Sequence, residues 1–172
     1  VPIEISSATD GRRFQGGHNG WLRTHGLTHA RTLELTNDGR GLAGEDMLFA
    51  VEEADKVIFQ KALARGVDAG LLFQIRFHLH PEVDAAIDMG GAAISLALRS
   101  GEIWVLRCEP NAELSLEPSV YLETGRLKPR ATKQVVLSAR AMEYATRIRW
   151  SLAKAHDSAI AIRDVQRDEF EL

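Results

Sequence analysis

An all-β fold, an antiparallel β-sandwich of supersandwich-like build with room for one short helix, is what these 172 residues predict. Three observations lead there. The segment LLFQIRFHLHP alternates, Phe73, Ile75, Phe77 and Leu79 pointing one way and Gln74, Arg76, His78 and His80 the other, as a strand with one apolar face does. Other short runs share this period of two. Turn residues fall between the runs, at Asn37-Asp38-Gly39, Met89-Gly90-Gly91, Ser100-Gly101 and Glu109-Pro110-Asn111. Short strands at near-regular spacing with such punctuation are the pattern of a sandwich.

In chain order, TLELT sets Leu33 and Leu35 against Thr32 and Glu34, a first strand. MLFAVEEADKVIFQKALARG follows steps of four and three through Met47, Val51, Ala54, Ile58 and Ala62, with Gly66 as a stop; this is the place for a short helix. After the FHLHP strand, AAISLALR alternates through Ile94, Leu96 and Leu98, and EIWVLRCE buries on both faces. Ser100-Gly101 between these two reads as a hairpin. ELSLE, SVYLE, TKQVVLS and TRIRWSL supply further strands. ARAMEYATRIRWSLAKA fits either period, and the strand alternation of Ile148, Trp150 and Leu152 is preferred from about Tyr144. The sandwich domain is thus expected over residues 1–155 and a polar, acidic tail over 156–172.

Composition excludes several classes. With 45% hydrophobic and 26% charged residues the chain suits one globular domain, not a disordered one. No run approaches the roughly 18–20 apolar residues of a membrane helix, and VPIEISSATDGRR lacks the basic start and apolar core of an export signal. A net charge of −3 provides no global basic field for nucleic acid. Cys108 stands alone, so no intrachain disulfide and no multi-cysteine zinc site can form. The compartment stays open, a disulfide-free periplasmic protein included. Within its apolar strand Cys108 reads as an inert thiol.

For chemistry, His78 and His80 at a spacing of two share one face of a strand, where imidazoles grip an anion or a metal, or simply bond to neighbouring strands. Two ligands do not complete a zinc site. HGLTH spaces His25 and His29 like a zincin, but Gly26 stands where the general-base Glu belongs, so that reading fails. No GxxxxGK[ST] occurs, GGHNG lacks the dinucleotide spacing, no GxSxG elbow is present, and no carboxylates stand out as a pair. The basic run Arg126, Lys128, Arg130 and Lys133 suits a solvated strand edge better than an acidic ligand.

Three segments together carry a family resemblance: GGHNGWLRTHGLTHARTLELTNDGRGLAGEDML, then FQIRFHLHPEV, then SVYLETGRLKPRATKQVVLS with RIRWSL. In order, from about Gly16 to Leu152, they resemble the C-terminal β-domain of heparinase II/III-like proteins. The resemblance implies a polysaccharide lyase that cleaves uronic-acid-containing polysaccharide, glycosaminoglycans among them, by β-elimination, with an N-terminal α/α toroid as partner domain. It implies that base and acid belong largely to the toroid, and no position here matches the toroid's Asn, His and Tyr. The domain alone is then inactive, a sheet wall for the substrate, with His29, Arg31, Arg76, His78 and His80 as candidate contacts to an acidic polysaccharide or to the partner domain. Some lyases of this kind hold zinc on the β-domain, and His29, Asp46 and His80 match those ligands in order; the departure is Arg31, where an acidic residue is common. The alternative is a noncatalytic carbohydrate-binding or scaffold module, whose sign would be a flat platform of Trp21, Trp104 or Trp150. Trp150, between Ile148 and Leu152 in the alternation, reads as core.

Overall fold

The computed structural model describes residues 3–8, 11–66, 69–125 and 127–155. The tail assigned to 156–172 and Arg126 of the basic run lie outside the described residues. The strands are β1 (Ile3–Ala8), β2 (Gly11–Trp21), β3 (Leu27–Thr36), β4 (Gly41–Phe49), β5 (Leu71–His78), β6 (Asp84–Asp88), β7 (Ala93–Ala97), β8 (Ile103–Cys108), β9 (Glu113–Tyr121), β10 (Arg130–Ala141) and β11 (Ala145–Lys154). Eight of them form one sheet in the order β1-β2-β3-β4-β11-β8-β7-β6, and β5-β10-β9 form the other. All pairings given are antiparallel. The predicted sandwich is therefore the observed fold.

The two inner faces meet in a core of Ile75, Ile94, Leu106, Val135, Leu137, Ile148 and Trp150. Each element contributes every second residue, as the pleat demands. The small sheet covers only part of the large one. Ile5, Phe14 and Leu33 form one row across the inner face of β1, β2 and β3, and Ile5 at its outer end is 73% exposed.

A second cluster joins Leu27, Leu48, Ala50 and Ala141 to Phe59 of a helix. A four-residue helical turn, α1 (Leu22–His25), leads into β3, and the longer helix is α2 (Glu53–Arg65). The periodicity located α2 and its stop at Gly66 but began it too early: Met47 pairs with Ala30 and Arg147 inside β4. Sheet hydrogen bonds on both sides of β4 outweigh a helical spacing at its edge, and Glu53 and Asp55 mark the true first turn. Gly26 sits between α1 and β3 at φ +67°, where a Cβ would lie 2.1 Å from the Asp55 carbonyl oxygen. Only glycine permits that turn and that approach to α2.

Three readings are corrected. ELSLE and SVYLE are one strand, β9, running through Pro118; among the described strands β9 pairs only with β10, and an edge strand tolerates a residue without an N–H. The basic run is not an edge: Lys133 lies on β10, the middle strand of the small sheet, and its ammonium donates to the Ala85 carbonyl at 2.8 Å. His80 lies beyond the end of β5 rather than within it.

Candidate functional site

β3 presents Leu27, His29, Arg31 and Leu33 on its inner face, and β4 presents Leu42, Gly44, Asp46 and Leu48 opposite. Polar residues thus interrupt an apolar face on both strands at one register position: Arg31 is the direct partner of Asp46. Asp46 is 3% exposed. Its Oδ1 accepts from His29 Nε2 and from Arg31 Nε, each at 2.7 Å, and its Oδ2 accepts from Trp150 Nε1 at 2.9 Å. Burial alone would push the Asp46 carboxyl upward, but the three hydrogen bonds and the Arg31 charge together hold it below the ordinary carboxylate range. Asp46 is therefore a buried anion at neutral pH, neutralised from one side and braced from another.

Around it lies a cavity of about 300 Å³. One wall carries Trp21, His25, His29 and Arg31; the other is the edge of β5, residues 71–76 in succession. β5 pairs only with β10 in the described sheets, so the cavity runs along an open strand edge between the two layers. Trp21 is 45% exposed and its ring packs 4.7 Å from His18 and 6.0 Å from His29, centroid to centroid. Arg31 also lies over the Phe77 ring, 5.8 Å from its centroid. A second concavity, of about 670 Å³, lies across β1 to β4 with Glu4, Gln15, His18, Asn19, Thr28 and His29 as polar groups and no arginine.

Of the residues singled out by sequence, His29, Arg31, Asp46 and Arg76 line the first cavity. His78 and His80 do not. His78 Nδ1 pairs with Ser119 Oγ at 2.8 Å, and His80 packs 4.9 Å from the Tyr121 ring, its Nδ1 accepting from the Glu82 amide. Sequence reading missed Trp150 as a donor, and Trp21, His25 and Gln74 as lining. The alternation of Gly44, Asp46 and Leu48 in GEDML was the available signal. Trp150 is core, 6% exposed, and Trp104 packs at the core margin. Of the three, Trp21 alone is exposed. Cys108 is half-buried, burial pushing its thiol up, in keeping with an inert side chain.

The residues present do not fit the zinc that the resemblance implies. A closed zinc site needs four donors and a catalytic one three. Among the described residues no three His, Cys, Asp or Glu side chains converge. Asp46 spends both oxygens on N–H donors, one of them a guanidinium, and His80 sits elsewhere.

Arg76 lines the cavity but is pinned at the surface: Nη1 donates to Glu117 Oε2 at 3.1 Å, and Nη2 to Gln74. An exposed pair of this kind contributes less than about 1 kcal/mol. Arg76→Ala is expected to leave the unfolding free energy from urea titration within that margin, so any binding loss it causes reports on the cavity and not on folding.

The profile of the family described as heparinase II/III-like, C-terminal, matches residues 1–151. The curated FtsZ-localized protein C of Caulobacter vibrioides is 35% identical over 139 residues, which are 80% of this chain and 22% of that protein. A heparinase III structure superposes with TM-score 0.66 at 12% identity, covering 93% of this chain and 22% of the other. The heparan sulfate lyase HepC of Pedobacter heparinus gives TM-score 0.64 at 10% identity, covering 92% and 22%. At those identities the structural likeness shows the fold alone. The chain spans about a fifth of the length of each of these relatives. Matched over nearly its whole described length, the chain belongs to the heparinase II/III-like C-terminal family, and its fold is that family's β-sandwich.

Proposed function

We propose that this domain forms one wall of a cleft for a uronate-bearing polysaccharide, glycosaminoglycans among them, in a lyase whose N-terminal toroid supplies base and acid. The observation that carries the reading is the cavity beside β5. It gathers two arginines, two histidines and a half-exposed tryptophan around one carboxylate, and that carboxylate is already matched by three donors. Arg31 is matched by Asp46 and Arg76 by Glu117, so what the cavity offers is a set of N–H donors beside apolar surface. Such a partly apolar, donor-lined cleft suits an acidic sugar, and a guanidinium near the uronate carboxylate acidifies the C5 proton. In β-elimination a base takes that proton, the electron pair forms the C4–C5 double bond, and the bond from C4 to the glycosidic oxygen breaks with protonation of that oxygen.

The test compares the full-length protein with the 172-residue chain on acidic polysaccharides. Full-length protein is expected to release unsaturated uronate absorbing in the ultraviolet, and the chain alone to bind without releasing product. Absence of product from the full-length protein would end the lyase reading. A second reading, a noncatalytic scaffold module, is favoured by one observation: the relative at 35% identity is named for localisation with FtsZ. A fluorescent fusion of the full-length protein that co-localises with FtsZ, with no unsaturated product, would select it.

A further inference from the structure

We propose that Arg31 does the work of a bound cation: its Nε–H neutralises Asp46, while its two terminal amino groups form a metal-independent receptor for a carboxylate entering the cavity. This deepens the reading above and rests on it for the choice of sugar acid as ligand.

A guanidinium offers five N–H donors in a rigid planar fork. One is committed, Nε to Asp46 Oδ1 at 2.7 Å. No hydrogen bond or ion pair to a described residue engages the other end. That end belongs to a side chain 34% exposed on the cavity wall. The plane is held from behind by Asp46 and from the small sheet by the Phe77 ring. Asp46 is held in place, because His29 and Trp150 donate to it as well. An arginine fixed at Nε with its terminal fork open has already lost much of the side-chain freedom that binding an anion would otherwise cost. Arg76 differs, since its amino groups are committed to Glu117 and Gln74; it lines the cavity but offers no open fork.

The same geometry opposes a divalent cation. Zinc on Asp46 and His29 would sit against a permanently charged guanidinium and would have to displace two N–H donors from one carboxylate. A single side chain thus settles both the counter-charge of the buried anion and the chemistry facing the cavity.

The test uses the 172-residue chain with three probes: glucuronate, the neutral methyl glucoside, and zinc chloride followed by EDTA. Glucuronate is expected to shift the Trp21 indole and Arg31 Nε–H nuclear magnetic resonance signals saturably. Methyl glucoside is expected to leave both in place, and zinc and its removal to leave the melting temperature unchanged. Arg31→Lys keeps the charge but loses the fork, and is expected to weaken glucuronate about tenfold or more. Stoichiometric zinc that raises the melting temperature overturns the proposal. So does equal response to the two sugars, or a folded Arg31→Lys chain with undiminished glucuronate binding. Should that variant fail to fold, the wild-type sugar and zinc arms still decide. Glucuronate binding here without unsaturated product from the full-length protein would remove the lyase and keep the receptor; the converse result would remove the receptor alone.

Discussion

Asp46→Ala is expected to destabilise the chain by about 3–5 kcal/mol, the range for removing one member of a buried charged pair. The carboxylate is 3% exposed and accepts from three groups on two strands, β3 and β11. Its loss leaves the Arg31 guanidinium without a counter-charge and the Trp150 indole N–H unmet in the core. Asp46→Asn keeps the shape but turns an NH2 toward N–H donors, so it is expected to fall between alanine and wild type. Chemical denaturation of the three chains measures this, and a loss below about 1 kcal/mol for alanine would refute the network. The pH dependence has a definite sign. Asp46 titrates below the ordinary 3.8 when folded, so the unfolded chain binds the proton more readily. Its contribution is present above that ordinary value and is lost as pH falls below it, through the lower folded value. Acid unfolding is expected to begin later in Asp46→Asn than its lower neutral-pH stability alone would suggest, because asparagine has no proton to take up.

The sequence made the sandwich legible wherever one face of a strand is buried and the other wet. β5 and β11 follow their alternation within a residue or two, and the hairpin at Ser100-Gly101 joins β7 to β8 with Gly101 at φ +86°. β2 was not legible. Its GGHNG stretch has no apolar period, and it is a strand because β1 and β3 pair with it on either side. β4 was obscured for the opposite reason, since Gly44 and Asp46 stand at inward positions where a pattern reader expects apolar residues. The site shares that logic. His29, Arg31 and Asp46 were all visible as residue types, and the ordering of His29 before Asp46 came from the family resemblance. The meaning of Arg31 was not visible, because register sets it opposite Asp46, and register is a property of two strands together. His78 and His80 show the converse. Their spacing was suggestive, but β5 ends at His78 and the cavity follows it only as far as Arg76.

Gly44→Ala is expected to cost about 3 kcal/mol and to lower the melting temperature by roughly 6–12 °C. Gly44 pairs with Trp150 across β4 and β11. A Cβ at Gly44 would lie 2.2 Å from both Cε2 and Cζ2 of the indole, far inside van der Waals contact. The glycine's backbone conformation is ordinary, so the constraint is the space the ring occupies. Trp150 is also fixed from the other side, its ring 4.7 Å from that of Phe77 and its Nε1 on Asp46. A methyl group therefore drives the indole off the carboxylate, adding an unmet buried polar group to the overpacking. Trp150→Phe should relieve the clash while forfeiting the indole hydrogen bond. If Gly44 exists to admit the indole, the two changes are strongly non-additive, and Gly44→Ala made in the Trp150→Phe background costs little more. Additive losses in thermal or urea unfolding would mean that Gly44 serves the strand for another reason, and that the indole is free to reach Asp46 by a second route.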